Sequence, residues 1–213
     1  MFNDLFILSL LLLPLGSVIA QSIPSNATPV PSTAEDVCPL KPGMSVPSMQ
    51  LAGISGVDMA FPAAFAERPA VLIFYRGGWC PFCNVQLGQL QSIEDELRDL
   101  GFQLIGISPD TPENLEASVG KHELSYTLLS DSRMEAARRF GVAFQLDDAM
   151  MAQYREYGLD LEAASGETHH MLPVPAVFIV NTDGRITFSY ANPDYKVRLD
   201  PSVLLAAARA ARD

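Results

Sequence analysis

The chain has 213 residues, of which 48 % are hydrophobic and 18 % charged, a composition typical of a globular protein and not of a disordered one. Its 25 acidic residues outnumber 14 Lys and Arg residues, which gives a formal net charge of -11. This acidity argues against nucleic acid or an anionic membrane surface as a partner. The length suits one domain with appendages.

The first twenty residues predict a cleaved signal peptide. An apolar stretch at positions 5–15 is followed by Val18-Ile19-Ala20, which has small or light side chains at the positions that a signal peptidase reads. The stretch is shorter than the roughly 18 apolar residues of a membrane helix. The region before it has no Lys or Arg and contains Asp4, so an uncleaved anchor is the alternative. We expect cleavage after Ala20, export to the periplasm or the exterior, and no stable membrane span afterwards.

Residues 21–46 are rich in Pro, Ser and Thr and lack apolar periodicity, which predicts an extended tether. From about residue 47 to the C terminus, strand patterns alternate with helix patterns, without an internal repeat. This alternation predicts one α/β domain over residues 47–213.

Apolar runs, helical spacing and capping residues predict the elements of this domain. The continuous apolar run at 70–75 is typical of a strand buried on both faces. Pro81 suits the first turn of a helix, and Gly101 suits its end. The other predicted elements are a strand at 103–108, helices from Thr111 and from Asp131 to Phe140, a polar insertion at 145–170 with one helix, strands at 176–180 and 185–190, and a last helix from Asp200.

Asp183-Gly184, between the last two predicted strands, is a hairpin turn signal. The sheet should therefore be mixed, parallel in its first half and closed by an antiparallel hairpin. The predicted architecture is an α/β fold with a central mixed sheet and helices on both faces.

Cys80 and Cys83 lie between the strand at 70–75 and the helix that follows it. A helix start favours the thiolate and lowers a cysteine pKa from ~8.5 to roughly 3.5–7.5. A disulfide this short closes too small a ring to add much stability, which suits a redox couple better than a staple. A zinc site needs four ligands, and the third cysteine, Cys38, lies in the predicted tether, so we expect no metal site. The strand–CxxC–helix context indicates redox chemistry.

The stretch YRGGWCPFCN at 75–84 resembles the peroxiredoxin-like branch of the AhpC/TSA family, within the thioredoxin-fold superfamily. GISPD at 106–110, LLSD at 128–131, LPVPA at 172–176 and NPDY at 192–195 agree in order and spacing. The resemblance implies a thioredoxin-like fold. It also implies a cofactor-free, thiol-dependent peroxidase that acts on hydrogen peroxide or organic hydroperoxides and is recycled by a dithiol protein such as thioredoxin or glutaredoxin.

The resemblance leaves the order of the two sulfurs open. Typical peroxiredoxins carry a Pro, a Thr and the attacking Cys at positions that fall here on Arg76, Cys80 and Cys83. That register implies that Cys83 attacks and that Cys80 replaces the threonine. Thioredoxins use the first cysteine of the pair, which is Cys80. We expect both to be catalytic, with the peroxiredoxin register favouring Cys83 as the attacking sulfur.

The resemblance also implies four residues that contact substrate. Arg76 stands at the proline position of the motif, and Trp79 lies beside Cys80. Arg133 falls within one position of an arginine that orients peroxide in many peroxiredoxins. Pro175 stands where the superfamily places a cis-proline facing the cysteines.

Two alternative functions fit the same residues. One is a thioredoxin-like thiol–disulfide oxidoreductase without peroxidase activity. The other is a copper-binding or copper-delivery protein that combines the cysteine pair with His169 or His170, because thiolate and imidazole suit copper. Cys38 is an idle thiol, an intermolecular link or a distant resolving cysteine.

Overall fold

The computed structural model describes residues 29–122 and 124–212. The predicted signal peptide and residues 21–28 of the predicted tether lie outside these described residues. The described strands are β1 (Met49–Gly53), β2 (Met59–Phe61), β3 (Ala70–Phe74), β4 (Gln103–Ser108), β5 (Thr127–Ser130), β6 (Ala143–Gln145), β7 (Met171–Pro173), β8 (Ala176–Val180) and β9 (Ile186–Ala191). The described α-helices are α1 (Pro81–Asp99), α2 (Pro112–His122), α3 (Glu135–Arg139), α4 (Asp148–Glu156), α5 (Leu161–Ser165) and α6 (Pro201–Ala210).

A seven-stranded sheet in the order β2-β1-β5-β4-β3-β8-β9 forms the centre of the domain. Strands β3, β4 and β5 are parallel neighbours, and β8 and β9 form the predicted antiparallel hairpin. The antiparallel pair of β1 and β2 extends the other edge, next to β5. The predicted mixed sheet is confirmed, and β6 and β7 add a separate two-stranded ribbon.

Strand β3 shows why the sheet is covered on both sides. All five of its residues are buried, as its continuous apolar run predicts. Because side chains alternate along a strand, Val71 and Ile73 pack with α1, α2 and α6, whereas Leu72 and Phe74 pack with α3, α4 and α5. The predicted placement of helices on both faces is confirmed.

Helix α1 follows the predicted bounds closely. Cys80 is its N-cap, with extended backbone, and Pro81 occupies the first turn. The helix ends ahead of Gly101, whose φ of +93° lies in the left-handed region that glycine adopts most readily. Its buried side, which includes Leu87, Leu90 and Leu97, faces the sheet and fixes the orientation of both cysteines.

The segment of residues 29–46 is not an extended tether, and that prediction does not hold for it. Its backbone pairs with the domain along its length. The Gln145 N–H donates to the Pro31 carbonyl at 2.7 Å, and the Val46 N–H donates to the Gly184 carbonyl at 2.8 Å. These hydrogen bonds hold residues 29–46 against the domain, although this Pro- and Ser-rich segment has little apolar periodicity.

The insertion at 145–170 contains two helices where one was predicted. Asp147 caps α4 by accepting from the Met150 N–H at 2.7 Å, and Asp160 caps α5 by accepting from the Ala163 N–H at 2.9 Å.

Helix α3 begins four residues after Asp131, although the Asp131 carboxylate still accepts from backbone N–H groups in the first turn of this helix. No helix in the described ranges is long and apolar enough to cross a bilayer.

Candidate active site

A glycine turn between β3 and α1 places the cysteine pair at the end of the sheet. Gly77 has a φ of +140°, and a Cβ there would lie 2.8 Å from the Asp110 Oδ1 and 2.4 Å from the Trp79 Nε1, so only glycine fits. The Cys80 N–H donates to the Gly77 carbonyl at 3.1 Å, which closes the turn at the start of α1. Cys80 and Cys83 are both unpaired, buried thiols.

The two thiols have opposite acidities. The pKa of Cys80 is lowered to about 6, chiefly by the hydrogen bond from the Cys83 thiol and also by the Cys83 backbone N–H and the charges of Arg76 and Arg198. Burial raises the pKa of Cys83 well above its usual value, and the hydrogen bond with Cys80 raises it further. These opposite directions favour a Cys80 thiolate beside a Cys83 thiol near neutral pH. This distribution favours Cys80 as the attacking sulfur, the thioredoxin order, over the Cys83 of the peroxiredoxin register.

Two guanidinium groups supply positive charge around the pair. Arg198 donates from Nη2 to the Cys83 Sγ at 3.3 Å. Arg76 is 4 % exposed, and its Nε has no hydrogen-bond partner among the described residues. The Arg76 guanidinium lies 4.2 Å from the ring centre of Tyr195 and 5.3 Å from that of Trp79, within cation–π range. Within the described ranges neither arginine forms an ion pair with a carboxylate.

Cys80 lines a groove of about 710 Å³, whereas Cys83 lies behind it and does not. The segment at 32–35, helix α4 and the loop after β9 form the walls of this groove. Its apolar lining includes Phe82, Phe144, Met150, Tyr154, Tyr157, Leu159, Val174 and Tyr195. Such a groove suits an apolar organic molecule, and Cys80, which is itself only 1 % exposed, forms part of its wall.

The structure brings together most of the predicted site residues. Cys80, Trp79, Arg76 and Pro175 all line the groove, with Cys83 directly behind. Arg133 does not join them: its side chain is 84 % exposed and lies 3.7 Å from the Glu167 carboxylate.

The prediction of a cis peptide bond before Pro175 is wrong. Among the described residues the cis bond precedes Pro62. Backbone hydrogen bonds hold the chain on both sides of the Val174–Pro175 bond. The Val174 N–H donates to Val142 at 2.9 Å, and the Pro175 carbonyl accepts from the Asn192 N–H at 3.1 Å.

Sequence reasoning missed several residues of the site. Arg198, Tyr154 and Asp110 were not assigned a role, although Asp110 lies in the GISPD stretch and Tyr154 lies in the insertion. Nothing in the local pattern around Arg198 points to Cys83, because 115 residues separate them. Cys38, in turn, is exposed and does not line the groove.

The histidines are held away from the cysteine pair. The His169 Nε2 lies 2.8 Å from the Ser132 carbonyl oxygen, and the His170 Nε2 lies 2.5 Å from the Glu162 Oε1. In the part of the chain that the structure describes, no three His, Cys, Asp or Glu side chains converge as a metal site would require. These contacts give the copper alternative no support.

A sequence model of the AhpC/TSA family matches residues 42–189, which include the cysteine pair, the sheet and the insertion. The chain belongs to the AhpC/TSA family.

Curated proteins that resemble the chain include peroxiredoxins. Peroxiredoxin Bcp of Escherichia coli strain K12 is 35 % identical over 104 residues, which cover 49 % of this chain and 66 % of the relative. The putative peroxiredoxin bcp of Haemophilus influenzae is 38 % identical over 78 residues, or 37 % of this chain and 50 % of the relative. The chain thus spans between half and about two thirds of the length of these relatives.

Solved structures confirm the thioredoxin-like fold that the resemblance implied. Peroxidoxin BcpB of Mycobacterium tuberculosis has a TM-score of 0.63 at 21 % identity, over 82 % of this chain and 99 % of that one. Peroxiredoxin Q of Xanthomonas campestris has a TM-score of 0.60 at 18 % identity, over 78 % of this chain and 92 % of that one.

Proposed function

We propose that the protein is a thiol-dependent peroxidase that reduces organic hydroperoxides through Cys80 and Cys83. One observation carries the proposal: Cys80, whose thiol pKa is lowered to about 6, lines a largely apolar groove, and Cys83, whose thiol pKa is raised, lies behind it. Membership of the AhpC/TSA family and the resemblance to peroxiredoxins support it.

The first step is attack of the Cys80 thiolate on the outer oxygen of a hydroperoxide, ROOH. The S–O bond forms as the O–O bond breaks, Cys80 becomes a sulfenic acid, and the departing alkoxide takes a proton to leave as ROH. The positive charges of Arg76 and Arg198 stabilise the thiolate and the negative charge that develops on the departing oxygen.

The second step closes the disulfide. The Cys83 sulfur attacks the sulfenic sulfur of Cys80, and hydroxide leaves with the Cys83 proton as water. A thioredoxin- or glutaredoxin-type dithiol then reduces the Cys80–Cys83 disulfide by exchange and is itself oxidised. One hydroperoxide is thus reduced for each external dithiol oxidised.

The size and lining of the groove support an organic hydroperoxide as the preferred substrate. A volume of about 710 Å³ exceeds what hydrogen peroxide needs, and apolar side chains gain from contact with an alkyl or aryl group. A solved relative, the bacterioferritin comigratory protein of Xanthomonas campestris, is described by its alkyl peroxide reduction activity. We place this reaction outside the cytoplasm, on the basis of the apolar N-terminal stretch alone.

The test is hydroperoxide consumption with thioredoxin or glutaredoxin as reductant, for wild type and for three cysteine variants. Replacing Cys80 or Cys83 by Ser should abolish sustained turnover. The Cys83→Ser variant should still trap one sulfenic acid with cumene hydroperoxide, whereas Cys80→Ser should not. Cys38→Ser is the matched control and should stay within a few-fold of wild type. Sustained turnover in the Cys80→Ser, Cys83→Ser double variant would overturn the proposal.

Thiol–disulfide exchange without peroxidase activity remains the second candidate. The observation in its favour is that Arg76 and Cys80 stand where typical peroxiredoxins have the Pro and Thr of their motif. The same assay separates the two. An exchange-only protein reduces a small disulfide at a rate that depends on Cys80, but consumes no hydroperoxide.

A further inference from the structure

The Arg76 side chain is a buried positive charge whose hydrogen-bonding capacity is not met. It is 4 % exposed, its Nε has no acceptor among the described residues, and no described carboxylate forms an ion pair with its guanidinium. Arginine is rarely buried without a partner, because removing a charge from water is costly. An arginine also cannot lose its proton near neutral pH. The side chain therefore points to an acceptor that comes from outside the chain.

Three aromatic rings surround the guanidinium. Its central carbon lies 4.2 Å from the ring centre of Tyr195, 5.3 Å from that of Trp79 and 5.4 Å from that of Tyr154. Such rings stabilise a cation through their π electrons, which offsets part of the cost of burial. They supply no oxygen acceptor for the N–H groups. The rings thus hold the charge in one place and leave its hydrogen-bonding capacity to a ligand.

This charge lies in the groove beside the reacting sulfur. Arg76 and Cys80 both line the groove, and the contacting ring of Trp79 belongs to the residue before Cys80. The charge of Arg76 and the charge of the Cys80 thiolate stabilise each other. A disulfide sulfur carries no charge, so oxidation of Cys80 removes this compensation. The disulfide form should then attract an anion to Arg76 more strongly than the reduced form does.

The acidic side chains of the groove do not compensate the charge of Arg76. Glu35 and Asp147 line the groove, but both are exposed, and neither forms an ion pair with Arg76. The Asp147 carboxylate already accepts from the Met150 N–H. Water and salt screen exposed charges more strongly than a charge in apolar surroundings. An anion that enters the groove is therefore attracted most strongly at Arg76.

We propose that the groove contains a carboxylate-binding subsite at Arg76, and that its organic ligands are short acids whose carboxylate lies beside the reacting sulfur. The two coplanar oxygens of a carboxylate match the N–H fork of a guanidinium. The rest of the ligand packs against the apolar wall of the groove. Because Arg76 and Cys80 are neighbours there, only a few bonds separate the carboxylate from the reacting atom of the ligand. The proposal rests on the proposed function, since it names the class of molecule that the same groove serves.

A short acid can enter the redox cycle at two points. It can be the hydroperoxide that the Cys80 thiolate attacks, or a small thiol that reduces the Cys80–Cys83 disulfide in place of a dithiol protein. The carboxylate is recognised in the same way in both cases. Separate kinetic measurements on the two halves of the cycle distinguish these sources.

The first measurement is of binding and needs no turnover. Isothermal titration calorimetry near neutral pH compares 3-phenylpropionate with 3-phenylpropanamide, which has the same shape without the charge. Both the reduced protein and the form oxidised with diamide are titrated. The test variant is Arg76→Gln. Arg133→Gln is the matched control, because it removes the same charge from an exposed position outside the groove.

Wild type should bind the acid at least roughly tenfold more tightly than the amide, and the disulfide form should show the larger preference. Arg76→Gln should bind the two compounds alike, whereas Arg133→Gln should keep the preference. Equal binding of acid and amide by wild type, or a preference that survives in Arg76→Gln, would overturn the proposal. The comparison within wild type decides the matter even where Arg76→Gln does not fold.

Two kinetic measurements then identify the source of the carboxylate. In the first, wild type and Arg76→Gln consume tert-butyl hydroperoxide or 3-hydroperoxy-3-methylbutanoate, which differs by a carboxylate on one methyl group. In the second, 3-mercaptopropanol or 3-mercaptopropionate reduces the disulfide. The ratio of variant to wild type for each reagent cancels the reactivity of the reagent itself. A loss about fivefold larger for the acid assigns the subsite to that half of the cycle, and no larger loss in either half would overturn the proposal.

Failure of the proposed function gives a different result. A protein that prefers the acid through Arg76 and is reduced faster by the acidic thiol, but consumes no hydroperoxide, would reject the proposed function alone. A protein that consumes hydroperoxides but binds acid and amide alike would reject the carboxylate subsite alone.

Discussion

At the scale of single residues, the Cys80 thiolate is favoured chiefly by hydrogen bonds from Cys83 and further by the charges of Arg76 and Arg198, which form no ion pair with a carboxylate among the described residues. Replacing Arg76 by Gln removes one of two cations that lower the Cys80 pKa to about 6, so we expect that pKa to rise. The alkylation rate of Cys80 by iodoacetamide at pH 7 should fall by a factor of roughly 2–10, since less thiolate is present. The measurement is the alkylation rate against pH, resolved by peptide mapping.

The matched control for that prediction is Arg133→Gln, because Arg133 has the same charge but is exposed and paired with Glu167. The two variants should differ clearly in the pH at which Cys80 is half ionised. An Arg76→Gln profile that superimposes on the control profile would contradict this account of the thiolate.

Single residues also show which parts of the site could be predicted from the sequence. The cysteine pair was predictable because a helix start after a buried strand favours a thiolate wherever it occurs. Arg133 was predicted to contact substrate but lies outside the site, because its sequence distance from Asp131 does not fix the direction of its side chain. The chain turns at Met134, which has a φ of +55°, and carries the Arg133 side chain outwards. Arg198 could not be assigned at all, since only the folded chain brings it to Cys83.

At the scale of elements, helix α4 controls the width of the groove through Tyr154. The Tyr154 ring packs edge-to-face on Trp79, with ring centres 5.9 Å apart, and lies 5.4 Å from the Arg76 guanidinium. We expect Tyr154→Ala to lower kcat/KM for cumene hydroperoxide several-fold more than kcat/KM for hydrogen peroxide. The small substrate makes little use of the aromatic wall, whereas the aryl group packs against it.

Tyr157→Ala is the control for this effect, because Tyr157 is on the same helical stretch but 67 % exposed at the rim. Its ratio of the two kcat/KM values should stay near that of wild type. An equal loss with both substrates in Tyr154→Ala would mean that α4 supports the fold of the site and not its selectivity.

The elements that the sequence predicted well are those whose signals are local. The buried run of β3, the cap and proline of α1 and the Asp183-Gly184 turn each depend on neighbouring residues alone. The segment at 29–46 and the pair of β1 and β2 depend on backbone hydrogen bonds to distant parts of the chain. Such hydrogen bonds produce no periodic pattern in the sequence. The composition of residues 29–46 therefore predicted a tether, whereas in the structure part of this segment forms a wall of the groove.

At the scale of the whole molecule, buried carboxyl groups make stability depend on pH. Burial raises the pKa of Asp131 from 3.8 to about 7 and that of Asp110 to about 6. The folded state therefore binds more protons than the unfolded state between about pH 4 and pH 7. These two groups contribute fully to the free energy of unfolding below pH 4. Their contribution is lost as the pH rises through 6 and 7.

Urea unfolding of the reduced protein at several pH values would test this. We expect Asp131→Asn to flatten the slope between pH 4 and pH 7, by at most about 1.4 kcal/mol for each unit of pH. Asp147→Asn is the control, because the Asp147 carboxylate also accepts from a backbone N–H in the first turn of a helix, but at an exposed position. A steeper slope in Asp131→Asn than in wild type would contradict the assigned direction.

The position of Trp79 has a practical consequence. It is the single tryptophan of the chain, and it lies next to Cys80 and under the Arg76 guanidinium. It lines both the groove and a further cavity of about 420 Å³ that Asp110 and Ser118 also line. Indole emission responds to nearby charge and to sulfur quenchers, so the protein carries its own optical reporter at the reacting atoms. Ionisation of the thiol, closure of the disulfide and entry of a ligand from either side can all be followed in unlabelled wild-type protein, with no second indole to obscure the signal.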